Sequence, residues 1–199
     1  MDKVFLVVVL LLSAVFHEYM HGFVAYKLGD PTAKNAGRLT FNPLKHIDLF
    51  GSIIVPVLML ISGSSFLFAW AKPVPYNPYN LRDRKYGEAK VALAGPMSNL
   101  ALAIVFALIL RLMPFISLTF SGLIAIIIYI NLILMVFNLV PIPPLDGSKI
   151  VSVFLSPEKK ERYLSLERYG ILFVLLFVLL FSDLLILPVN FLFGVLVGA

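Results

Sequence analysis

The sequence predicts an all-α polytopic membrane protein, and its composition and hydropathy pattern both support this fold class. Of the 199 residues, 60% are hydrophobic and only 14% are charged, and the mean hydropathy is +0.97. A helix needs about 20 apolar residues to cross a bilayer. Apolar runs of about this length recur at residues 4–28, 52–70, 89–110, 119–140 and 170–197. We therefore expect five to six membrane segments in a single integral-membrane domain over residues 1–199, with a core at 3–150 and a helical tail at 168–199.

Two of the apolar runs are not simple spans. Pro56 and the polar turn at Ser62–Ser65 interrupt the run at 52–70, so its uninterrupted part is shorter than a span requires. This run is expected to be either a kinked crossing or a re-entrant hairpin. The final run forms either one tilted helix or two short helices turning near Ser182 and Asp183, and nothing in it indicates more than a scaffold.

The polar connections contain the only β-structure that the sequence predicts. Residues 29–50 are punctuated by glycine and proline, and Arg38–Phe41 has the pattern of a short strand. Residues Ala71–Asn80 contain three prolines, which require an extended backbone. Short strands are therefore expected in the regions 29–50 and 66–75.

The net charge of +5 does not indicate nucleic-acid binding. The basic residues lie in the connections between apolar runs, not on one face with interleaved aromatic residues. They are better explained as determinants of membrane topology. The chain has no cysteine, which excludes disulfides, a thiol nucleophile and a cysteine metal site.

The first apolar run carries the motif His17-Glu18-Tyr19-Met20-His21. Ionisable groups inside an apolar helix are costly and need a compensating partner. Residues i and i+4 share one helix face, so both imidazoles can bind one metal ion, and Glu18 lies beside the first of them. The H-E-x-x-H pattern is the zinc-metalloprotease signature of two ligands and one general base.

A catalytic zinc ion takes three protein ligands and keeps one open position. Asp146 is the best candidate for the third ligand, because it directly follows a membrane run within a proline-broken segment. Asp48 and Asp183 are the alternatives.

With these motifs, the chain resembles the site-2 protease family of intramembrane zinc metalloproteases, peptidase family M50. The matching pieces are the histidine motif, Gly95-Pro96-Met97-Ser98-Asn99, and Asn138 through Leu145-Asp146-Gly147. The regions GRLTFNPLKHID and AKPVPYNP look like the small bacterial and archaeal members, without PDZ or CBS modules. The resemblance implies Zn²⁺ on His17, His21 and Asp146, Glu18 as general base, and the amides of Asn138 and Asn99 near the reacting carbonyl.

The expected activity is hydrolysis of peptide bonds in or near transmembrane segments of other membrane proteins, within the lipid bilayer. A membrane zinc carrier or sensor and an inactive protease-like scaffold are the rival interpretations. Glu18 argues against both, because a carrier needs no carboxylate beside its first ligand. The last histidine, His46, either modulates the site or merely caps a loop.

The metal also constrains the topology. His17 and Asp146 meet at one depth only if the spans at 4–28 and 119–140 run parallel, as they do when 52–70 is a hairpin. The hairpin places every lysine and arginine except Lys3 and Arg111 on one side. If 52–70 crossed the membrane fully, five lysines and arginines would lie on the other side, at positions 27, 34, 38, 45 and 111. By the positive-inside rule, we expect a multi-pass protein of the cell membrane with an outside N-terminus, the segment 29–88 and the loop 141–169 in the cytoplasm, and a site that opens towards the cytoplasm.

Overall fold

The computed structural model describes residues 3–62, 71–113 and 117–198. Eight α-helices are found in these residues: α1 (Lys3–Lys27), α2 (Thr32–Asn35), α3 (Val55–Ile61), α4 (Gly87–Leu112), α5 (Leu118–Asn138), α6 (Asp146–Ser152), α7 (Pro157–Leu164) and α8 (Gly170–Val197). A π-helical turn, Leu49–Ile54, leads into α3, and short 3₁₀ turns lie at Pro43–Lys45, Pro78–Asn80 and Ser165–Tyr169.

Four helical stretches of the described chain are long and apolar enough to cross a membrane: Val4–Lys27, Gly87–Leu112, Leu118–Asn138 and Pro157–Val197, which contains α8. This confirms a helical, polytopic membrane protein, but the count of five to six spans is not confirmed. The helical part of the second apolar run, Leu49–Ile61, extends only about 20 Å at 1.5 Å per residue, too short to cross. The rest of that run, residues 63–70 with most of the expected hairpin turn, lies outside the described residues.

Side-chain contacts fix the directions of the central helices. Ser13 of α1 contacts Asn99 of α4. Eight residues later in α1, His21 contacts Val91, which lies earlier in α4. Helices α1 and α4 are therefore antiparallel. Ser13 also contacts Asn131 near the middle of α5, while His21 lies against Asp146 beyond the end of α5. Helices α1 and α5 are therefore parallel, which is the arrangement that a shared metal requires.

The apolar core lies where α4, α5 and α8 meet. Ala103 and Ala107 of α4 face Ile128 and Leu132 of α5 and Val189 of α8, and all five are at most 2% exposed. Small residues on one helix allow the neighbouring helices to approach closely, as is typical of helix packing in membranes. At the far end, Arg111 Nη2 donates to the Val195 carbonyl oxygen at 2.7 Å and fastens α8 to α4.

The tail, α8, consists of two helical parts joined at a kink where Phe181 leaves helical geometry. The kink lies next to the Ser182–Asp183 position at which the sequence predicts a possible turn. Most of the outer surface of α8 is apolar and exposed, with Leu179 77% accessible, as expected of a helix that faces lipid.

The predicted short strands are not found in the described parts of 29–50 and 66–75. Arg38–Phe41 is irregular, and its arginine side chain donates to the carbonyl oxygen of Lys72 at 2.7 Å. Residues 71–77 are extended, but Pro73 and Pro75 have no N–H to donate, so one edge of this segment cannot support a ladder of backbone hydrogen bonds. On the other edge, the Val74 N–H donates to Glu18. Within their described residues, one backbone hydrogen bond joins the two regions, from Lys72 N to His46 O at 2.8 Å.

Candidate active site

Three side chains from distant parts of the chain converge on one point. His17 and His21 come from α1, and Asp146 is the first residue of α6. Asp146 Oδ2 lies 3.1 Å from His17 Nε2 and 3.2 Å from His21 Nε2. Among the described residues, these three form a group whose ligand atoms all lie within 4.8 Å of one another.

The other two carboxylates considered for the third ligand have different positions. Asp48 accepts a hydrogen bond from the backbone N–H of Gly51 at 2.7 Å and thereby caps the π-helical turn. Asp183 is exposed on the surface of α8. The geometry therefore favours Asp146 over both alternatives.

The hydrogen bond of His21 sets its tautomer. Its Nδ1 lies 2.7 Å from the carbonyl oxygen of Val91 in α4. A backbone carbonyl can only accept, so Nδ1 carries the proton and donates it. In the neutral imidazole, Nε2 is then left with a free lone pair that faces Asp146.

The tautomer of His17 is set by a chain of amides. Asn131 Nδ2 donates to the Ile127 carbonyl oxygen and to Ser13 Oγ, so Asn131 presents its oxygen to Asn99. Asn99 Nδ2 donates to that oxygen at 2.9 Å, which turns Asn99 Oδ1 towards His17. His17 Nδ1 donates to Asn99 Oδ1 at 2.6 Å, and its Nε2 is likewise left as an acceptor.

The resulting cluster fits a metal ion. When both histidines are neutral, two lone-pair nitrogens and a carboxylate oxygen face one another, which is a donor set that suits Zn²⁺. Two atoms bound to the same tetrahedral zinc at about 2.0–2.1 Å lie about 3.3 Å apart, close to the separations found here. Gly95 keeps the space open, because a Cβ atom there would lie 2.5 Å from His17 Nε2.

Glu18 lies beside the cluster and is held by a backbone group. Its Oε2 accepts a hydrogen bond from the N–H of Val74 at 2.8 Å. Val74 belongs to the extended segment 71–77, which is tied at one end to His46 and at the other to Asp30, whose Oδ2 accepts from Asn77 N at 2.6 Å. The general-base candidate is therefore positioned by a segment that is itself anchored.

A cavity of about 420 Å³ opens in front of the cluster. Its walls come from α1, α4, the end of α5, the segment 71–76, α6 and α8. The tail is thus more than the plain scaffold that the sequence suggests, since Ile171, Val174 and Leu175 of α8 line the cavity together with His17, Glu18, His21 and Asp146.

The remaining predicted site residues occupy three different positions. Asn138 lines the cavity, but its Nδ2 donates to the Leu134 carbonyl oxygen of its own helix at 2.9 Å. Asn99 lies behind His17 and does not line the cavity. His46 is fully buried in the loop before the π-helical turn, with Nε2 2.8 Å from the Thr40 carbonyl oxygen, and is not part of the cavity wall.

Sequence reasoning missed several residues around the site. Asn131 and Ser13 complete the hydrogen-bonded support of His17. The sequence signal for Asn131 was a polar amide in the middle of the apolar run 119–140. Tyr76 and Lys149 line the cavity and contact each other, with Lys149 Nζ 5.5 Å from the ring centroid of Tyr76. The Val74 N–H has no signal in the sequence, because any residue except proline supplies one.

Comparison with known proteins gives one family. The model of peptidase family M50 matches residues 113–181. Three relatives bear names that begin "Putative zinc metalloprotease": YwhC of Bacillus subtilis is 40% identical over 87% of this chain and 80% of its own length. Rip2 of Mycolicibacterium smegmatis is 32% identical over 82% of this chain, and MJ0611 of Methanocaldococcus jannaschii is 36% identical over 69% of it.

The matches to Rip2 and MJ0611 span 62% and 63% of those proteins, respectively. No solved structure matches the chain. The YwhC match nevertheless extends over most of both sequences. On this similarity, and on the agreement of the family model with the second half of the chain, the protein belongs to peptidase family M50, the site-2 proteases.

Proposed function

We propose that this zinc-dependent M50 metalloprotease hydrolyses peptide bonds in or near transmembrane segments of other membrane proteins. His17, His21 and Asp146 would hold the Zn²⁺ ion, and Glu18 would act as general base. The observation that carries the proposal is the meeting of two imidazoles, one carboxylate and an adjacent glutamate in a cavity among apolar helices.

A bound zinc ion supplies Lewis-acid chemistry, polarising a carbonyl group and lowering the pKa of water towards about 7. Glu18 takes the proton from the water whose oxygen attacks the carbonyl carbon. As the C–N bond breaks, Glu18 returns that proton to the leaving nitrogen. The Val74 N–H occupies one oxygen of Glu18 and fixes the carboxylate plane, so the other oxygen is available for this transfer.

The amides have separate proposed roles. Asn99 would keep His17 in the ligating tautomer and orientation, as partners behind the ligands commonly do in metal sites. Asn138 stays a candidate for binding the substrate carbonyl, because one of its two N–H groups is used within α5 and the other is free to turn to the cavity. His46 would act indirectly, by holding the extended segment through its carbonyl oxygen.

We also propose that the protein is in the cell membrane and that its site opens towards the cytoplasm. The parallel direction of α1 and α5 supports this orientation, because it leaves most of the basic residues on one side. The substrate would be a membrane protein whose helix unwinds locally, since helical carbonyl groups are shielded by hydrogen bonds.

The test is cleavage of a panel of fluorophore-tagged single-span peptides in detergent, with zinc content measured in parallel. We expect the native protein to cleave and Glu18→Gln to lose activity by a factor of about 10² or more while it keeps its zinc. Equal cleavage by both proteins would exclude Glu18 as base. Retention of zinc without cleavage of any peptide by the native protein would favour a zinc carrier or a scaffold.

A further inference from the structure

Lys149 contributes a cationic group to the active-site cavity. It lies three residues after Asp146 in α6, so the two side chains share one helix face. Among the described residues that line the cavity, Lys149 is the single lysine or arginine. The proposed chemistry has so far given it no role.

The position of Lys149 is fixed by its helix. Gly147 packs directly against the carbonyl group of Leu139 at the end of α5, and Ser148 Oγ donates to the Leu145 carbonyl oxygen at 2.6 Å within the first turn of α6. Lys149 therefore has a fixed backbone beside the cluster and a flexible four-carbon side chain that extends into the cavity.

The ammonium group of Lys149 is charged but has no ionic partner. Within the described chain it makes no ion pair or hydrogen bond, and its contact is with the face of the Tyr76 ring. Burial alone would lower the pKa of Lys149, but nearby Tyr76, Asp146, Glu167 and Glu18 more than offset that effect, so its pKa is raised. Three N–H donors are consequently available at the cavity wall.

Peptide hydrolysis creates a need for such a donor. As water adds to the carbonyl carbon, negative charge develops on the carbonyl oxygen, and a donor fixed in a water-poor cavity stabilises that charge strongly. Asn138 is neutral, and one of its two N–H groups is already occupied within its own helix. Lys149 is the cavity residue that combines positive charge with free donors.

We propose that Lys149 is a catalytic residue whose ammonium group donates a hydrogen bond to the carbonyl oxygen of the scissile peptide in the transition state. This inference rests on the proposed protease function. Tyr76 supports the Lys149 side chain when substrate is absent, and no covalent bond to Lys149 forms or breaks.

The test compares Lys149→Met, Lys149→Arg and the control Lys159→Met, which removes an exposed lysine of α7. Each is assayed on a peptide that the native protein cleaves and Glu18→Gln does not. We expect Lys149→Met to lower kcat by about 10²- to 10³-fold, the usual effect of removing one such donor, with KM changed less than about threefold. Lys149→Arg should recover part of kcat, and Lys159→Met should match the native protein. Zinc content and Tm should be unchanged in all three.

Three results would overturn the assignment. A raised KM with native kcat would show that Lys149 binds the ground state and does not stabilise the transition state. A loss of zinc or a lower Tm in Lys149→Met would show a structural role. Native kinetics in Lys149→Met, beside an inactive Glu18→Gln, would reject Lys149 while leaving the protease function intact.

Discussion

The two sides of the histidine pair are built in opposite ways. Behind the imidazoles, Ser13, Asn99 and Asn131 are at most 5% exposed and are linked by hydrogen bonds to one another and to His17. In front, the cavity wall includes half-buried Glu18 and the ammonium of Lys149. Within the described residues, Glu18 is bonded to the Val74 N–H and Lys149 lies over the Tyr76 ring, both on the extended segment 71–76.

This difference separates two tasks. The rear wall is a fully paired polar network in an apolar surrounding, which fixes the tautomer and angle of a ligand because no alternative pairing is available. The front wall keeps donors and acceptors unpaired, so they can be used by a substrate and a proton. Changes in the rear wall should therefore alter metal binding, whereas changes in the front wall should alter turnover at constant metal content.

The largest effect is expected for Gly95→Ala, because the new Cβ would intrude on both imidazoles. Rings anchored from behind cannot move aside, so we expect loss of zinc and of cleavage. Gly122→Ala in α5 is the matched control, since a Cβ there meets nothing within 4 Å. Atomic absorption measures the zinc content. A Gly95→Ala protein with one zinc ion per chain would show that a Cβ at this position does not displace the imidazoles.

Asn99→Ala tests the rear wall itself. Removal of Oδ1 leaves His17 Nδ1 without its acceptor, and we expect zinc affinity to fall by about 10- to 100-fold. Asn190→Ala provides the control. It removes an amide of α8, far from the site, that accepts a hydrogen bond from Tyr129 of α5. Competition with a fluorescent zinc chelator measures the affinity. An unchanged affinity would mean that the amide network does not orient the ligand.

Val74→Pro tests the front wall by removing the N–H that holds Glu18. Its neighbours Pro73 and Pro75 already impose an extended backbone, so proline is compatible with the local geometry. We expect kcat to fall by about tenfold at unchanged zinc content, and Val74→Ala, which keeps the N–H, to stay near the native value. If both variants lost activity equally, the valine side chain rather than its N–H would be responsible.

The smallest effect concerns Asp30, which anchors the front segment. Burial would raise the pKa of this carboxyl, but hydrogen bonds from Thr32, Asn80 and Asn77 lower it further than burial raises it. The unfolded chain therefore protonates first as the pH falls, so the stabilisation is complete above the ordinary value of 3.8 and is lost as the pH passes through the lowered one.

Accordingly, Asp30→Asn should lower Tm by about a few degrees at pH 7, and the difference from the native protein should narrow below about pH 4. Thermal unfolding in detergent at several pH values measures this. A difference in Tm that stays constant with pH would show that the charge of Asp30 contributes nothing.

The sequence was informative where chemistry requires particular side chains. The spacing of His17 and His21 and the proline-broken approach to Asp146 were enough to predict one cluster, and the three side chains do meet. The predicted strands are not found in the described residues, because the pattern of Arg38–Phe41 says nothing about whether a partner edge has N–H groups to offer. The count of five to six spans is not confirmed, because the described part of the second apolar run is a π-helical turn followed by the short α3.

Other features depend on tertiary contacts that no local pattern encodes. The sequence could mark Asn131 as a polar residue at membrane depth, but not that it would reach His17 through Asn99. It gave no reason to expect that the front half of α8 would line the cavity, because that role depends on how the helix packs beside α6.

The most direct test of the metal assignment is zinc K-edge X-ray absorption on the purified protein. We expect one zinc ion per chain, bound by two imidazole nitrogens and otherwise by oxygen ligands, at about 2.0–2.2 Å. A spectrum with three imidazoles, which would require His46, or the same two-imidazole spectrum in a His17→Ala variant, would contradict the site formed by His17, His21 and Asp146.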